Sequence, residues 1–276
     1  MTRIAICAPA TPITRDDAEA VTRIAAAEFP QLALDFHPQC FLSEGHFAGS
    51  EQQRLSAFLE CANDPAAAAV WFAKGGYGSN AIAGRAVEGL DSAGGAKTFL
   101  GYSDNGYLLA ALYRAGMGRP VHGPMPVDVR RDGGETAIRR ALGYLAGDLS
   151  QGLEPATDDR PAVAFNLMTL AMLTGTDLLP DLSGHVVMVE EVAEHLYAVD
   201  RLFFHVTHTL KDIAGLRLGE VSEVPENDRA FGRGAEDIAR YWCGRTGIPY
   251  LGRAEIGHCS SNRIVPFGVA AKRTDA

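Results

Sequence analysis

Residues 66–73 read AAAAVWFA, an apolar octet with no polar interruption. A strand with one face in water alternates polar and apolar residues. An unbroken run must be covered on both faces, which places it inside a parallel sheet flanked by helices. The neighbouring sequence fits that demand. Residues 4–8, 31–36, 97–102 and 121–124 read as sister strands. The segments between them read as helices. Thr14 with Asp17, and Ser50 with Gln53, have the spacing of capping boxes. The first box opens a helix through Ala27, and Leu55, Phe58 and Leu59 give the second an apolar face. Two further helices are expected over 81–90 and 108–115. This alternation predicts an α/β fold with a parallel sheet.

The pattern changes after residue 130. RRDGG (130–134) is polar and turn-like, a helix is expected over 137–146, and 147–160 consists of loop residues. A linker at 148–160 therefore divides a first domain, 1–147, from a second, 161–276. Strands in the second half are expected over 162–165, 185–190, 216–221, 250–255 and 264–269, with a long helix over 194–210. That pattern reads as a smaller mixed α/β or barrel-like domain.

Composition narrows the function. The 276 residues carry 25 Lys and Arg against 34 Asp and Glu, a formal net charge of −9. Nucleic acid and anionic membrane both require clustered positive charge, so neither is expected as a partner. No apolar run reaches a membrane span. The short apolar start runs into Pro9 and Pro12, unlike a secretory signal. Five scattered cysteines with no CxxC pair suit a reducing cytoplasm, with no disulfide framework or zinc knuckle.

Three segments carry potential chemistry. In KTFLGYSDN (97–105) a buried strand ends at Ser103 and turns toward a helix, where open α/β sheets place their sites. The helix N-terminus favours a developing oxyanion there. The G-x-S-x-G spelling is incomplete, since Asn105 stands at the second glycine, and Ser103 or Asp104 also reads as a plain helix cap. In KGGYGSN (74–80), Gly75, Gly76 and Gly78 suit an oxyanion hole, a phosphate cradle or a structural turn, and the Walker spelling is absent. His258 follows the strand expected at 250–255, and Glu190 and Glu191 end the one at 185–190. Either carboxylate is a candidate to orient a histidine. Their opposite faces on a strand allow only one to do so. His195 shares no metal-ligand spacing with His205 and His208, and those two are an i, i+3 pair without a nearby helical Glu, so no metal site is expected; Cys259 should point away from His258, and Trp71 reads as core.

Taken in order, these segments resemble the LD-carboxypeptidases, the serine peptidases that include muramoyltetrapeptide carboxypeptidase and the microcin C self-immunity peptidase. The likeness covers nearly the whole chain: AICAPATP, GHFAGSEQQRLSAFLECANDP, AVWFAKGGYGSNAI, FLGYSDNGYLLAAL, VHGPMP, FNLMTLAMLTGT, VVMVEEVAEHLYAVDR and IGHCSSNRIVPFG. The resemblance implies a flavodoxin-like, class I glutamine-amidotransferase-like first domain and a barrel-like second one. It implies a catalytic triad of Ser103, Glu190 and His258, with an oxyanion hole from the Gly76 and Asp104 amides. Lys74, Gly75 and Tyr102 fall at substrate-contacting positions, and Tyr197, Asp200 and Arg201 near the domain interface. The sequence departs from the pattern at Lys74, where Arg is usual, and at Asn105-Gly106-Tyr107. The implied reaction removes a terminal D-amino acid, typically D-Ala from murein tetrapeptide, in a cytoplasmic homodimer with no cofactor or metal. Two alternatives remain: the same chemistry on a peptide–nucleotide antibiotic, and a catalytically silent binding protein for small molecules.

Overall fold

The computed structural model describes residues 1–149, 152–156 and 158–269. The expected linker at 148–160 and the end of the 161–276 domain fall partly outside them. The first half runs β1 (Thr2–Cys7), α1 (Arg15–Glu28), β2 (Leu32–Phe36), α2 (Glu51–Asn63), β3 (Ala67–Phe72), α3 (Ala83–Glu88), β4 (Thr98–Gly101), α4 (Gly106–Ala115), β5 (Arg119–His122) and α5 (Gly134–Leu145). The second half runs β6 (Ala162–Asn166), α6 (Leu167–Leu173), β7 (Val186–Val192), α7 (Leu196–Thr209), β8 (Gly215–Ser222), α8 (Ala235–Thr246), β9 (Tyr250–Arg253) and β10 (Val265–Pro266).

The apolar octet becomes β3, between β1 and β4 in a six-stranded sheet of order β10-β5-β4-β3-β1-β2. Strands β1 to β5 are parallel. Both capping boxes form at the N-termini of α1 and α2. Helices α1 and α5 cover one face, packing Val21, Ile24, Ile138 and Leu142 on Ile4, Ile6 and Trp71. Trp71 is core, with its indole N–H donating to the Pro124 carbonyl at 2.8 Å. Strand order reverses between β1 and β3, so the loops after their carboxyl ends splay apart and open a crevice.

The second half is a parallel sheet in the linear order β6-β7-β8-β9. Among the described residues no pairing joins β9 to β6, so the barrel-like expectation reduces to one sheet flanked by helices. Two helices lacked a sequence signal, α6 and α8. The strand expected at 264–269 shortens to β10 and leaves its own half, pairing antiparallel with β5 at the edge of the first sheet. Pro266 fits there because an edge strand tolerates a missing N–H.

The halves share apolar packing. One cluster runs from Phe58, Phe72 and Phe99 through Leu108 and Leu109 to Phe165, Val187 and Phe203. Gly106 lies at the seam, where a β-carbon would stand 2.9 Å from Thr169 Cγ2 and 3.3 Å from Phe165 Cδ1. This close approach gives a physical reason for glycine after Ser-Asp-Asn. No helix among the described residues is long and apolar enough to cross a membrane.

Candidate active site

Ser103 sits on a sharp turn. Tyr102 is still extended, and Ser103 then takes φ 59° before residues 103–105 wind a single 3-10 turn into α4. A residue with a β-carbon in this left-handed region is strained by about 1–2 kcal/mol. The strain aims the hydroxyl out of the carboxyl end of the sheet. Gly75 makes room for it: a β-carbon there would lie 2.9 Å from Ser103 Cβ, 3.1 Å from its Oγ and 3.3 Å from the Asp104 nitrogen.

The Gly-rich turn is fixed from three sides. Thr11, in the loop after β1, donates its hydroxyl to the Gly75 carbonyl at 2.6 Å. Gly76 has φ +100°, and a β-carbon on it would meet Thr11 at 2.6 Å. The buried Arg54 donates to the Pro9 and Gly78 carbonyls, both at 2.7 Å. The Asp104 carboxylate accepts from the Ser79 amide at 2.9 Å, and the Ser79 hydroxyl donates to the Asp104 carbonyl at 2.6 Å. Burial pushes the Asp104 carboxyl above its ordinary range, against the pull of the Ser79 donors. Asn105 donates to the Lys74 carbonyl at 3.0 Å, so this departure from the family spelling also ties the two turns together. Among the described residues, the amides of Gly76 and Asp104 find no acceptor within the chain. They remain as donors beside the Ser103 turn. Lys74 is half-buried and, among the described residues, has no ion pair; burial first and Arg130 second lower its pKa.

The imidazole arrives from the second half. His258 Nε2 lies 3.1 Å from Ser103 Oγ, and its Nδ1 lies 2.7 Å from Glu190 Oε2. A carboxylate only accepts, so Nδ1 carries the proton and Nε2 turns a free lone pair to the hydroxyl. Burial disfavours the imidazolium, but the Glu190 charge and hydrogen bond outweigh it, and the His258 pKa stands above the ordinary imidazole value.

Glu190 owes its placement to a bulge. Val189 pairs with Leu218 while Glu191 pairs with Val221, so β8 carries one extra residue opposite Glu190. Gly219 lies at that bulge, and a β-carbon there would press on Glu190 Cβ at 3.0 Å. Glu191 faces the other way. It accepts from Asn166 Nδ2 at 2.8 Å, the Met168 amide at 2.9 Å and the Val192 amide at 2.9 Å, closing the N-terminus of α6. Burial lifts its pKa to about 7 against those donors. Thus, of the two neighbouring acids, Glu190 reaches the histidine and Glu191 holds a helix.

Other sequence candidates settle elsewhere. Tyr102 is 1% exposed; its hydroxyl donates to Asp128 Oδ1 at 2.7 Å, and its ring centre lies 4.8 Å from that of His258. Its side chain backs the imidazole and does not line an open surface. His205 pairs with Thr174, and His208 with the Phe204 carbonyl. Asp200 accepts from Trp242 Nε1 at 3.0 Å, joining α7 to α8. Cys259 lies 3.2 Å from Ser261 Oγ. The sequence reading missed His122, Asp128, Arg131 and Asn262, which surround the His258 loop. VHGPMP and RRDGG contain two of them, His122 and Arg131, without any local pattern that marks a site.

A hydroxyl, an imidazole and a carboxylate in series, with free amides beside the hydroxyl, can drive acyl transfer. Comparison with known proteins gives the same direction. Residues 4–123 match the family model of the LD-carboxypeptidase N-terminal domain, and residues 161–272 that of the C-terminal domain. The chain is 26% identical to the murein tetrapeptide carboxypeptidase of Pseudomonas aeruginosa, across 98% of this chain and 92% of that one. The solved muramoyltetrapeptide carboxypeptidase of Oxalobacter formigenes superposes with a TM-score of 0.78 at 24% identity, covering 98% of this chain and 96% of that one. The wild-type apo form of the microcin C7 self-immunity protein superposes at 0.77 with 17% identity, covering 97% and 91%.

Proposed function

The chain belongs to the LD-carboxypeptidase family, and from that premise we propose that it is a serine carboxypeptidase releasing the terminal D-amino acid, D-Ala, of murein tetrapeptide. The observation that carries the reading is the line of contacts from Ser103 through His258 to Glu190, at 3.1 and 2.7 Å across the two halves. Ser103 Oγ attacks the carbonyl of the last peptide bond as its proton passes to His258 Nε2. The oxyanion develops beside the Gly76 and Asp104 amides, and Glu190 stabilises the imidazolium. His258 then protonates the departing amine, and the acyl group is left as an ester on Ser103. Water resolves the ester with the same histidine as base. Lys74 supplies a positive charge for the substrate's terminal carboxylate. The reading extends to a homodimer acting on recycled muropeptides in the cytoplasm.

Mass spectrometry of the protein with murein tetrapeptide tests the proposal. The expected product is the tripeptide plus one D-Ala. A second reading, hydrolysis of a peptide–nucleotide conjugate, draws on Tyr77. This ring is 62% exposed on the Gly-rich turn, 6.3 Å from the His46 ring, and offers a face for a base to stack on. If the tetrapeptide stays intact while an aminoacyl sulfamoyl nucleotide is cleaved, the second reading replaces the first. If neither is cleaved, both fall.

Gly75→Ala offers a sharper probe of the turn. Its methyl would occupy the space in front of Ser103 Oγ and beside the Asp104 amide. The expected loss in kcat/KM is about 10²–10³-fold, comparable to losing one oxyanion donor. Steady-state kinetics beside a thermal melt would check this. An unchanged kcat/KM would place the reacting carbonyl elsewhere.

A further inference from the structure

Besides Arg140 of α5, whose Nη1 donates to the Ser260 and Asn262 carbonyls at 3.1 and 2.7 Å, the His258 loop is gripped from the first half at three points closer to the imidazole. Arg131 Nη1 donates to the His258 carbonyl at 3.0 Å, while its Nε donates to Asp128 Oδ1 at 2.9 Å. Asp128 is itself fixed, accepting from the Tyr102 hydroxyl at 2.7 Å and from the Met125 amide at 2.8 Å. On the other flank, Asn262 Oδ1 accepts from the Gly257 amide at 3.1 Å and lies 3.0 Å from His122 Nε2. Because that oxygen is an acceptor, His122 carries its proton on Nε2 and joins the hold as a donor. The third point is the Tyr102 ring under the imidazole.

Such a grip has a purpose. Ser103 belongs to one half and His258 to the other, so their 3.1 Å contact depends on how the halves sit. The loop turns at Gly257, whose φ of +141° is one that glycine adopts readily and other residues rarely do. Arg131 is a part-exposed side chain bonding to a carbonyl 127 residues away. We propose that Arg131 is a positioning residue, locking the His258 loop onto the first half through Asp128 so that base and nucleophile stay in register. This inference rests on the proposed roles of Ser103 and His258.

The charges around His258 supply a readout that simple loosening would not reproduce. Glu190 faces it from β7, Asp128 and Arg131 from the segment after β5, Tyr102 from the end of β4 and His122 from β5. Burial lowers the His122 pKa to about 4, so it stays neutral near pH 7. Glu190 and Asp128 favour the imidazolium, and Arg131 opposes it. Removing the Arg131 charge therefore raises the His258 pKa, and removing the Asp128 charge lowers it.

The test is the rate of Ser103 labelling by a fluorophosphonate as a function of pH, using the intact protein. Arg131→Gln is expected to slow labelling at pH 7 by about 10–100-fold, with the acid limb moved to higher pH. Arg131→Lys keeps the charge and is expected to retain the wild-type limb with part of the rate restored. Asp128→Asn is expected to move the limb to lower pH. Thermal melts establish that each variant is folded, and if Arg131→Gln is not, the Lys and Asn variants carry the comparison. Wild-type rate and limb in the folded Arg131 variants would overturn the proposal, as would limbs moving the same way in Arg131→Gln and Asp128→Asn. A wild type that takes no label would remove the triad reading, and this inference with it.

Discussion

Ser103→Ala is expected to lower turnover of murein tetrapeptide by about 10⁴-fold or more and to abolish fluorophosphonate labelling. Its hydroxyl is the only group of the constellation able to form the acyl-enzyme. Binding should persist, so kcat falls while KM stays close to the wild-type value. Ser103→Gly sharpens the result. Glycine adopts φ 59° freely, so this variant sheds the strain held at the turn. It should be as inactive as the alanine variant yet more stable by about 1 kcal/mol, seen as a higher melting temperature. Labelling that survives in Ser103→Ala would move the nucleophile to another residue. A Gly variant that melts lower would show that the turn is unstrained.

The parts of this structure legible in sequence are those whose cause is local. The octet at 66–73 forces a buried strand wherever it lies, and β3 occupies Ala67–Phe72. Capping boxes at Thr14 and Ser50 involve residues three apart, and both form. Helix α6 escaped because seven residues are too few to show a helical period; it is held by the Asn166 side chain and by Glu191 from a neighbouring strand. Helix α8 buries only Ile238, Ala239 and Cys243, too sparse an apolar face to stand out. β10 pairs with β5 across more than 140 residues, a choice of edge that its own sequence does not encode.

The site divides in the same way. Ser103, Glu190 and His258 were recognisable only as members of an ordered set of motifs. Their meeting depends on the β8 bulge and on contacts between the halves. Arg131 reads as part of a polar turn because its functional partner, a backbone carbonyl, carries no side-chain signature. Tyr102 reads as a residue beside the nucleophile, but whether its side chain faces substrate or core depends on Asp128, 26 residues on.

Glu190 and Glu191 form a natural experiment on one strand. Glu190→Gln keeps the size of the side chain but removes the charge that outweighs burial at His258. The amide can also donate to Nδ1, which selects the wrong imidazole tautomer for accepting the Ser103 proton. The expected loss in kcat is about 10⁴-fold. The direction of the pH profile is fixed as well. In the wild type the acid limb of kcat/KM is expected above the ordinary imidazole pKa; without Glu190, burial dominates and the limb is expected to move to lower pH. Glu191→Gln should behave in the opposite manner. Its carboxylate meets three donors, and an amide offers one oxygen and turns its NH₂ against the rest. The cost is expected in stability, about 1–3 kcal/mol for the unmatched groups, read from denaturant unfolding, while the folded fraction retains its kcat. If instead Glu191→Gln silences turnover and Glu190→Gln only weakens the fold, the bulge opposite Glu190 does not aim the acid at His258.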